Sequence, residues 1–223
     1  STRQYSNIVL PQLNREGGLI EDQIVPNNNF NNLFPKKKGK YTINDALINS
    51  DGISILNKTR IGKYSKKLEN ILNIIENSKG IVFIYSKFIE FGALITALAL
   101  EENGFSKFNC NSKGETSRKT LLTNSTYKAK RKFSYILLTG QPDLTGNKTT
   151  LNKLKDFSNS IQNKNGDIIK VIIGTEVVEQ GISFFNVRQI HMLDPWWNIN
   201  SYNQVIGRGV RRLSHKNLPK EER

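Results

Sequence analysis

The chain changes texture near residue 61. Before it, apolar positions are sparse: Val9-Leu10-Pro11 makes a proline-bounded start, and Pro26-Asn-Asn-Asn-Phe-Asn-Asn-Leu-Phe-Pro35 runs into Lys36-Lys-Lys-Gly-Lys40. So polar a stretch buries little, and residues 1–60 are expected to be a lead-in with a partly disordered Asn/Lys-rich insertion. Beyond it, Leu68, Ile71, Leu72 and Ile75 recur at spacings of three and four within Tyr64–Asn77, which predicts one apolar helical face. Ser78-Lys-Gly80 ends that helix. Ile81-Val-Phe-Ile-Tyr85 is then the continuous apolar run of a strand buried on both faces. A helix is predicted over Lys87–Asn103, with Gly104 at its stop. Strands follow at Phe105–Asn109 and Phe133–Leu138, separated by a polar insertion rich in Lys, Ser and Thr. Leu151–Ile161 reads as a helix, Ile168–Ile173 and Val187–Leu193 as strands, and Asn200 to about Arg211 as a last helix.

Strands alternating with helices imply an α/β domain, a parallel sheet with helices on both faces, over residues 61–215. Residues 216–223 read as the start of a further segment. Ligands of such sheets bind beyond the carboxyl ends of the strands. There the sequence places Ser86-Lys87, Thr139-Gly140 and Gly174-Thr175. Small hydroxyl residues and glycines leading into helices offer N–H groups to phosphate. Each alone is an ordinary cap; three on one edge point to an anion.

Charge changes the picture next. With 33 Lys and Arg against 19 Asp and Glu, the formal net charge is +14. A basic surface of that size fits nucleic acid, because each neutralised phosphate releases counterions. A merely solvated surface from a Lys/Asn-biased composition is the alternative, and Lys36–Lys40 stands between a phosphate-contacting patch and a solvated run. The longest apolar stretches fall well short of the ~20 residues of a membrane span, so no membrane partner is expected. Cys110 is the single cysteine, which excludes an internal disulfide and fits a reducing compartment. The histidines are His191 and His215, too few for a metal cluster, and His191 reads as a structural residue within its strand. The chain starts at Ser1 with no signal-peptide pattern and stops in a charged run, so it is expected to be part of something longer.

The sharpest candidate chemistry is Gln204-Val-Ile-Gly-Arg208-Gly-Val-Arg211-Arg212. At helical spacing Gln204, Arg208 and Arg211 fall within about 60° of one another, with Tyr202, Val205, Ile206 and Val210 on the other side. Two guanidiniums on one face suit phosphate oxygens, and a positioned Arg stabilises charge on a transferring phosphoryl group. A basic helix on a nucleic-acid surface fits the same residues. Gly207 and Gly209 each cost about 1 kcal/mol in a helix, which points to close backbone approach or an early helix end.

Gln204-x-x-Gly-Arg208-x-x-Arg211 resembles motif VI of superfamily 2 helicases, Gly174-Thr-Glu-Val-Val-Glu-Gln-Gly-Ile-Ser183 is similar to their motif V, and Ile81–Ser86 to motif IV. Order and spacing match the second RecA-like (P-loop NTPase-type) domain of these enzymes, a three-layer fold. More narrowly, Glu179–Arg188 and His191-Met-Leu-Asp-Pro-Trp-Trp-Asn198 resemble the poxvirus-type helicase, nucleoside triphosphatase and early transcription factor family of large cytoplasmic DNA viruses. Arg3–Pro11 looks like that family's lead-in.

The resemblance implies an ATP-dependent helicase or translocase. Arg208 and Arg211 would be arginine fingers on the γ-phosphate, and Gln204 would position that phosphate or the attacking water. Gly181, Ser183 and Gly207 would lie by the nucleotide, while Ser86, Lys87, Thr139, Gly140 and Thr175 would contact the bound strand. ATP and Mg²⁺ would be held mainly by an N-terminal RecA-like domain, since the chain has no Gly-x4-Gly-Lys-Ser/Thr run and no Asp-Glu-x-x box in a suitable context. The chain alone is therefore expected to be inactive as an ATPase. Gln204 and Ser183 stand where DEAD-box proteins have His and Asp, which argues against a DEAD-box RNA helicase. Implied partners are DNA or RNA, the first RecA-like domain and viral transcription machinery, in a cytoplasmic viral factory or the virion. Asp194 is expected to orient the turn into Pro195, and Trp196-Trp197 to pack at a strand end rather than stack on bases. Two alternatives stand beside this: a chromatin-remodeller-like translocase on duplex DNA, and a non-catalytic nucleic-acid-binding module.

Overall fold

The computed structural model describes residues 6–14, 16, 18–20, 30–179, 182–195, 199–209, 214–216 and 218–222. Six strands form the central sheet: β1 (Ile81–Tyr85), β2 (Phe105–Cys110), β3 (Thr116–Lys119), β4 (Phe133–Leu138), β5 (Val171–Gly174) and β6 (Val187–Met192). Their order is β6-β1-β5-β4-β2-β3. The first five in that order run parallel, and β3 lies antiparallel on the outer edge of β2. The main helices are α1 (Lys66–Asn77), α2 (Ile95–Glu102), α3 (Lys148–Asn159) and α4 (Ile199–Gly209). Alternation along the buried strands divides the core. Val82 and Ile84 face α1 and α2 together with Tyr135, Leu137, Val171 and Ile173. Ile81, Phe83 and Tyr85 face α3 and α4 with Ile136, Leu138 and Ile172. The result is the three-layer α/β arrangement expected from the pattern.

Caps set the helix starts. Ser65 Oγ accepts the Leu68 N–H at 3.1 Å to open α1, and Asn147 Oδ1 accepts that of Thr150 at 3.0 Å to open α3. The helix expected from Lys87 instead begins with a π-helical turn, Ile89–Leu94, in which Ala93 N–H reaches back to Phe88 O at 2.9 Å. It becomes regular only in α2.

Two polar segments differ from expectation. Residues 30–60 are not loose. Phe30, Leu33 and Phe34 stand at helical spacing behind their asparagines, and the Phe30 ring lies 5.0 Å from Phe34, 6.3 Å from Tyr41 and 5.5 Å from Phe91. Leu47, Ile55 and Leu56 are also fully buried in the core shared with α1 and α2. Lys36–Lys37 and Lys40–Tyr41 form a hairpin turning at Lys38 and Gly39, both at positive φ. Residues 26–29 of the Asn-rich stretch lie outside the described residues.

The insertion between β2 and β4 is the second. It contributes β3 and is held to α2 by two buried carboxylates. Glu101 accepts the N–H groups of Leu121 at 2.6 Å and Leu122 at 2.8 Å and the hydroxyl of Tyr135 at 2.7 Å. Glu102 accepts from Ser125 Oγ at 2.7 Å and Thr126 N–H at 3.0 Å. Burial pushes the Glu101 carboxyl up from its ordinary pKa, and these hydrogen bonds oppose the shift. Glu101→Ala strands three buried donors at about 1–3 kcal/mol each. It is expected to lower the urea midpoint strongly and to expose the Leu121 and Leu122 amides to hydrogen exchange; an unchanged midpoint would show that the clamp is dispensable.

Candidate functional site

The parallel register brings the strand ends level. Tyr85 is opposite both Gly174 and Met192, and Leu138 is opposite Gly174. The ladder extends one residue further: Ser86 N–H donates to Gly174 O at 3.1 Å, Thr175 N–H to Leu138 O at 3.0 Å and Leu193 N–H to Tyr85 O at 3.0 Å. Ser86, Thr139, Thr175 and Asp194 thereby share one edge, as the order of strands and loops predicts.

The hydroxyls expected to contact a bound strand are turned inward in this structure. Ser86 is fully buried, with Oγ 3.0 and 3.2 Å from the two Asp194 carboxylate oxygens, and it accepts the Phe88 N–H at 3.1 Å. Thr139 is buried, its Oγ1 3.1 Å from Thr145 Oγ1 and accepting the Gln141 N–H at 3.2 Å. Thr175 is buried against Leu138 O. The physical reason is common to all three. A chain leaving a buried strand carries polar groups that must be satisfied, and the nearest hydroxyl does it. These residues shape the loops; the surface beside them belongs to others.

Asp194 is the centre of that arrangement. Beyond Ser86, its carboxylate accepts the Asn7 side-chain amide at 2.6 Å and the Lys87 N–H at 2.5 Å, and it is 4% exposed. It therefore ties β6 to the loop after β1 and to the N-terminal segment, rather than only orienting the turn into Pro195. Lys67 sits alongside, donating to Leu193 O at 2.8 Å and to Asn7 Oδ1 at 3.3 Å. Burial lowers its pKa and the Asp194 charge pulls it back up. Sequence reasoning missed Asn7 and Lys67. Asn7 lies in the lead-in stretch that carries the family resemblance, whereas nothing marks Lys67 among the polar positions of α1.

The exposed remainder of the edge is cationic and open. Lys87 Nζ lies 3.0 Å from Glu176 Oε1, with both side chains well exposed. Gly140 is exposed, with no described atom within 4 Å of where a Cβ would stand. A groove of about 470 Å³ runs from Thr139 and Gly140 past Asn147, Lys148 and Lys155 to Ile182. The N-terminus of α3 opens at its side, so helix dipole and lysines both favour an anion there. Lys148 and Lys155 were not singled out in the sequence because isolated lysines on a helix carry no pattern.

α4 packs on β6 and on the short helix Glu176–Glu179. Gln204 is exposed and Val205 buried, as the helical spacing predicts, whereas Ile206, expected on the buried side, is 39% exposed. Arg208 lies within the described part of the helix, Ile199–Gly209. No described atom lies within 4 Å of a Cβ built on Gly207, so the space beside it is open. Ser183 is half-buried, and its carbonyl accepts the Asn159 amide at 2.8 Å. Gly181, Arg211, Trp196 and Trp197 lie outside the described residues. His191 is half-buried with Nε2 3.2 Å from Gln189 Oε1, and burial lowers its pKa. Among the described residues no three His, Cys, Asp or Glu side chains converge on a metal position, and the Asp194 carboxylate is filled by N–H and O–H donors. The edge offers donors for an anion and no ligand set for Mg²⁺.

One glycine is required by this geometry. A Cβ on Gly92 would stand 1.8 Å from Ser86 Oγ, in the π-helical turn that passes over the Ser86–Asp194 contact. Ser86 is short and held on several sides, so it cannot swing away. Gly92→Ala is expected to cost about 1–3 kcal/mol through overpacking. It should also speed hydrogen exchange at Lys87 and Phe88; wild-type stability and exchange would remove the constraint.

Comparison with known proteins agrees with the geometry. An ATP-dependent RNA helicase, so named, of Acanthamoeba polyphaga mimivirus is 30% identical over 189 residues, which is 84% of this chain and 29% of that protein. A helicase of the killer plasmid pGKL-2 of Kluyveromyces lactis is 27% identical over 182 residues, 78% of this chain and 27% of its own length. A homologue of the termination factor NPH-I from African swine fever virus is 28% identical over 181 residues, covering 71% of this chain and 24% of the relative. The chain thus spans less than a third of each of these relatives. Residues 64–212, more than half of the chain, match the model of the helicase conserved C-terminal domain, and the chain belongs to that family.

Proposed function

We propose that this chain is the second RecA-like half of an ATP-dependent nucleic-acid motor, and that its strand-end edge grips the backbone of the translocated strand. The observation that carries the reading is the convergence of Lys87, Gly140, Lys148 and Lys155 on one edge of the sheet, with α4 packed beside it. Membership of the helicase C-terminal family and the names of the viral relatives support it.

In this reading the roles divide by chemistry. Lys87, Lys148 and Lys155 supply charge to phosphates, and the Gly140 backbone approaches the strand because no side chain intervenes. Ser86, Thr139 and Thr175 are positioning residues that hold the loops in shape. Arg208 and Arg211 present guanidinium forks to the γ-phosphate of ATP, where they stabilise charge on the transferring phosphoryl group. Gln204 orients that phosphate or the attacking water, and Gly181, Ser183 and Gly207 leave room for the nucleotide. The phosphate cradle and the Mg²⁺ ligands come from another RecA-like domain, so the chain alone does not hydrolyse ATP. We assign the work to transcription or genome handling, a reading that the name of the termination-factor relative supports.

Two measurements on the full-length protein test this. Arg208→Ala or Arg211→Ala is expected to lower kcat by about 10³ or more while nucleotide binding persists; wild-type turnover in either variant would sink the arginine-finger assignment. Lys148→Gln with Lys155→Gln is expected to weaken strand binding. The slope of log affinity against log salt should flatten by about 0.7 per lysine for a single strand, and an unchanged slope would remove the groove from the track.

A further inference from the structure

The strand-end edge leaves much of the basic excess unexplained, including the Lys36–Lys40 run. Lys40, the last residue of that run, lines a second cavity, of about 530 Å³, formed mainly by the β2–β3 hairpin. Lys107 and Lys119 are directly opposite each other on the two strands, as are Asn109 and Ser117 one step along. All four line the cavity, and Lys40 reaches in from the facing hairpin. A cross-strand pair of like charges is destabilising, and here a third cation stands beside it.

Charges of the other sign stand near the group without pairing with it. None of the ion pairs among the described residues involves Lys40, Lys107 or Lys119. The carboxylate in the wall, Glu115, is held by the Asn111 amide at 2.6 Å. The nearby Glu101 already takes three donors from the core. Lys107 is 7% exposed and donates to Leu144 O, and Lys40 donates to Thr120 O. An ammonium has three N–H groups, so each retains two. Burial lowers the Lys107 pKa to about 8; the Glu101 charge, the next largest influence, raises it, and the Lys40 charge, the smallest, lowers it. Clustered, partly desolvated cations without a counter-charge are the signature of a site completed by an anion.

The surroundings say what kind of anion. Lys37 and Lys38 are exposed and continue the positive surface beyond the cavity along the facing hairpin. A single small anion leaves such a rim unused, whereas a polyanion engages it. The helix Pro142–Thr145 separates this cavity from the strand-end groove: Pro142 lines the groove, and the Leu144 carbonyl receives Lys107. The two sites are therefore neighbours around one short helix. We infer that the Lys40–Lys107–Lys119 cavity is a second backbone-binding site, which holds phosphodiesters of a nucleic-acid strand beyond the Gly140–Lys155 groove and so extends the track onto the outer edge of the sheet. This rests on the reading of the chain as a strand-binding domain.

The test is an amine-acylation footprint of the full-length protein, with and without a mixed-sequence single-stranded oligonucleotide, read by mass spectrometry. It is paired with salt-dependent binding of Lys119→Gln and Lys107→Met. Protection of Lys40, Lys107 and Lys119 on binding is expected, with the salt slope of Lys119→Gln reduced by about 0.7. Lys119 is exposed, so that variant and the wild-type footprint decide the matter even where Lys107→Met fails to fold. Protection confined to Lys148 and Lys155 would overturn the second site while leaving the strand-end groove standing. No protection at either set would overturn both. Protection by inorganic tripolyphosphate but not by the oligonucleotide would make the cavity a small-anion site. Protection by polyglutamate alone would make it a protein-docking surface, and both of these results reject the inference.

Discussion

The edge of this domain depends on one buried carboxylate. Asp194 joins three segments: the end of β6, the loop after β1 and the N-terminal residues around Asn7. A carboxylate so deep is costly unless every lone pair is used, and here an amide, a hydroxyl and a backbone N–H use them, with the Lys67 ammonium nearby. Removing any donor leaves charge uncompensated, so the arrangement is close to all-or-none. That is what makes the loop after β1 a fixed feature of the edge. The same demand explains the π-helical turn above it: a regular helix from Lys87 would leave Ser86 and Gly92 with a different separation, and the present one already leaves no space for a methyl group.

A second division follows from burial. Hydroxyls at the strand ends face inward because the backbone there needs them, and lysines face outward because solvent, or an anion, must carry their charge. In the proposed function, phosphate contact therefore falls to cations and glycine backbone. On the outer edge the rule is violated at Lys107, which is buried without a carboxylate partner among the described residues. A buried carboxylate satisfied by donors, as at Glu101 or Asp194, is a structural device. A buried ammonium satisfied by one carbonyl is incomplete by comparison.

The α/β architecture, its strands and the shared edge were legible because each rests on a short-range pattern. Continuous apolar runs mark doubly covered strands, and four residues at three-four spacing mark α1. The packed segment 30–60 was not, since Phe30, Leu33 and Phe34 are few among asparagines and their burial depends on Phe91 and Tyr41, which are distant in sequence. The direction of the strand-end hydroxyls was equally out of reach. Serine after a strand reads as a phosphate donor or as a cap with equal ease, and Asp194, 108 residues beyond Ser86, decides between them. The cationic cavity was half visible: the Lys36–Lys40 run drew notice, but Lys107 and Lys119 become neighbours only through an antiparallel strand in a segment without hydrophobic alternation.

Strong and weak links are placed differently around Lys87, and the difference suits a moving part. Its backbone is bound to a buried carboxylate, an interaction whose loss is expensive. Its ammonium is bound to Glu176 with both partners exposed, and such pairs contribute about 0–1 kcal/mol. The position of the residue is therefore fixed while the partner of its charge is exchangeable. In the proposed motor, a phosphate arriving at the edge would displace Glu176 at little cost. Glu176 opens the short helix on which α4 rests, so the carboxylate released by that exchange belongs to an element packed against the helix of Gln204 and Arg208. In the proposed motor, strand occupancy and the arginine helix would be coupled through this replaceable contact, and the rigid network at Asp194 gives it a fixed point to act against.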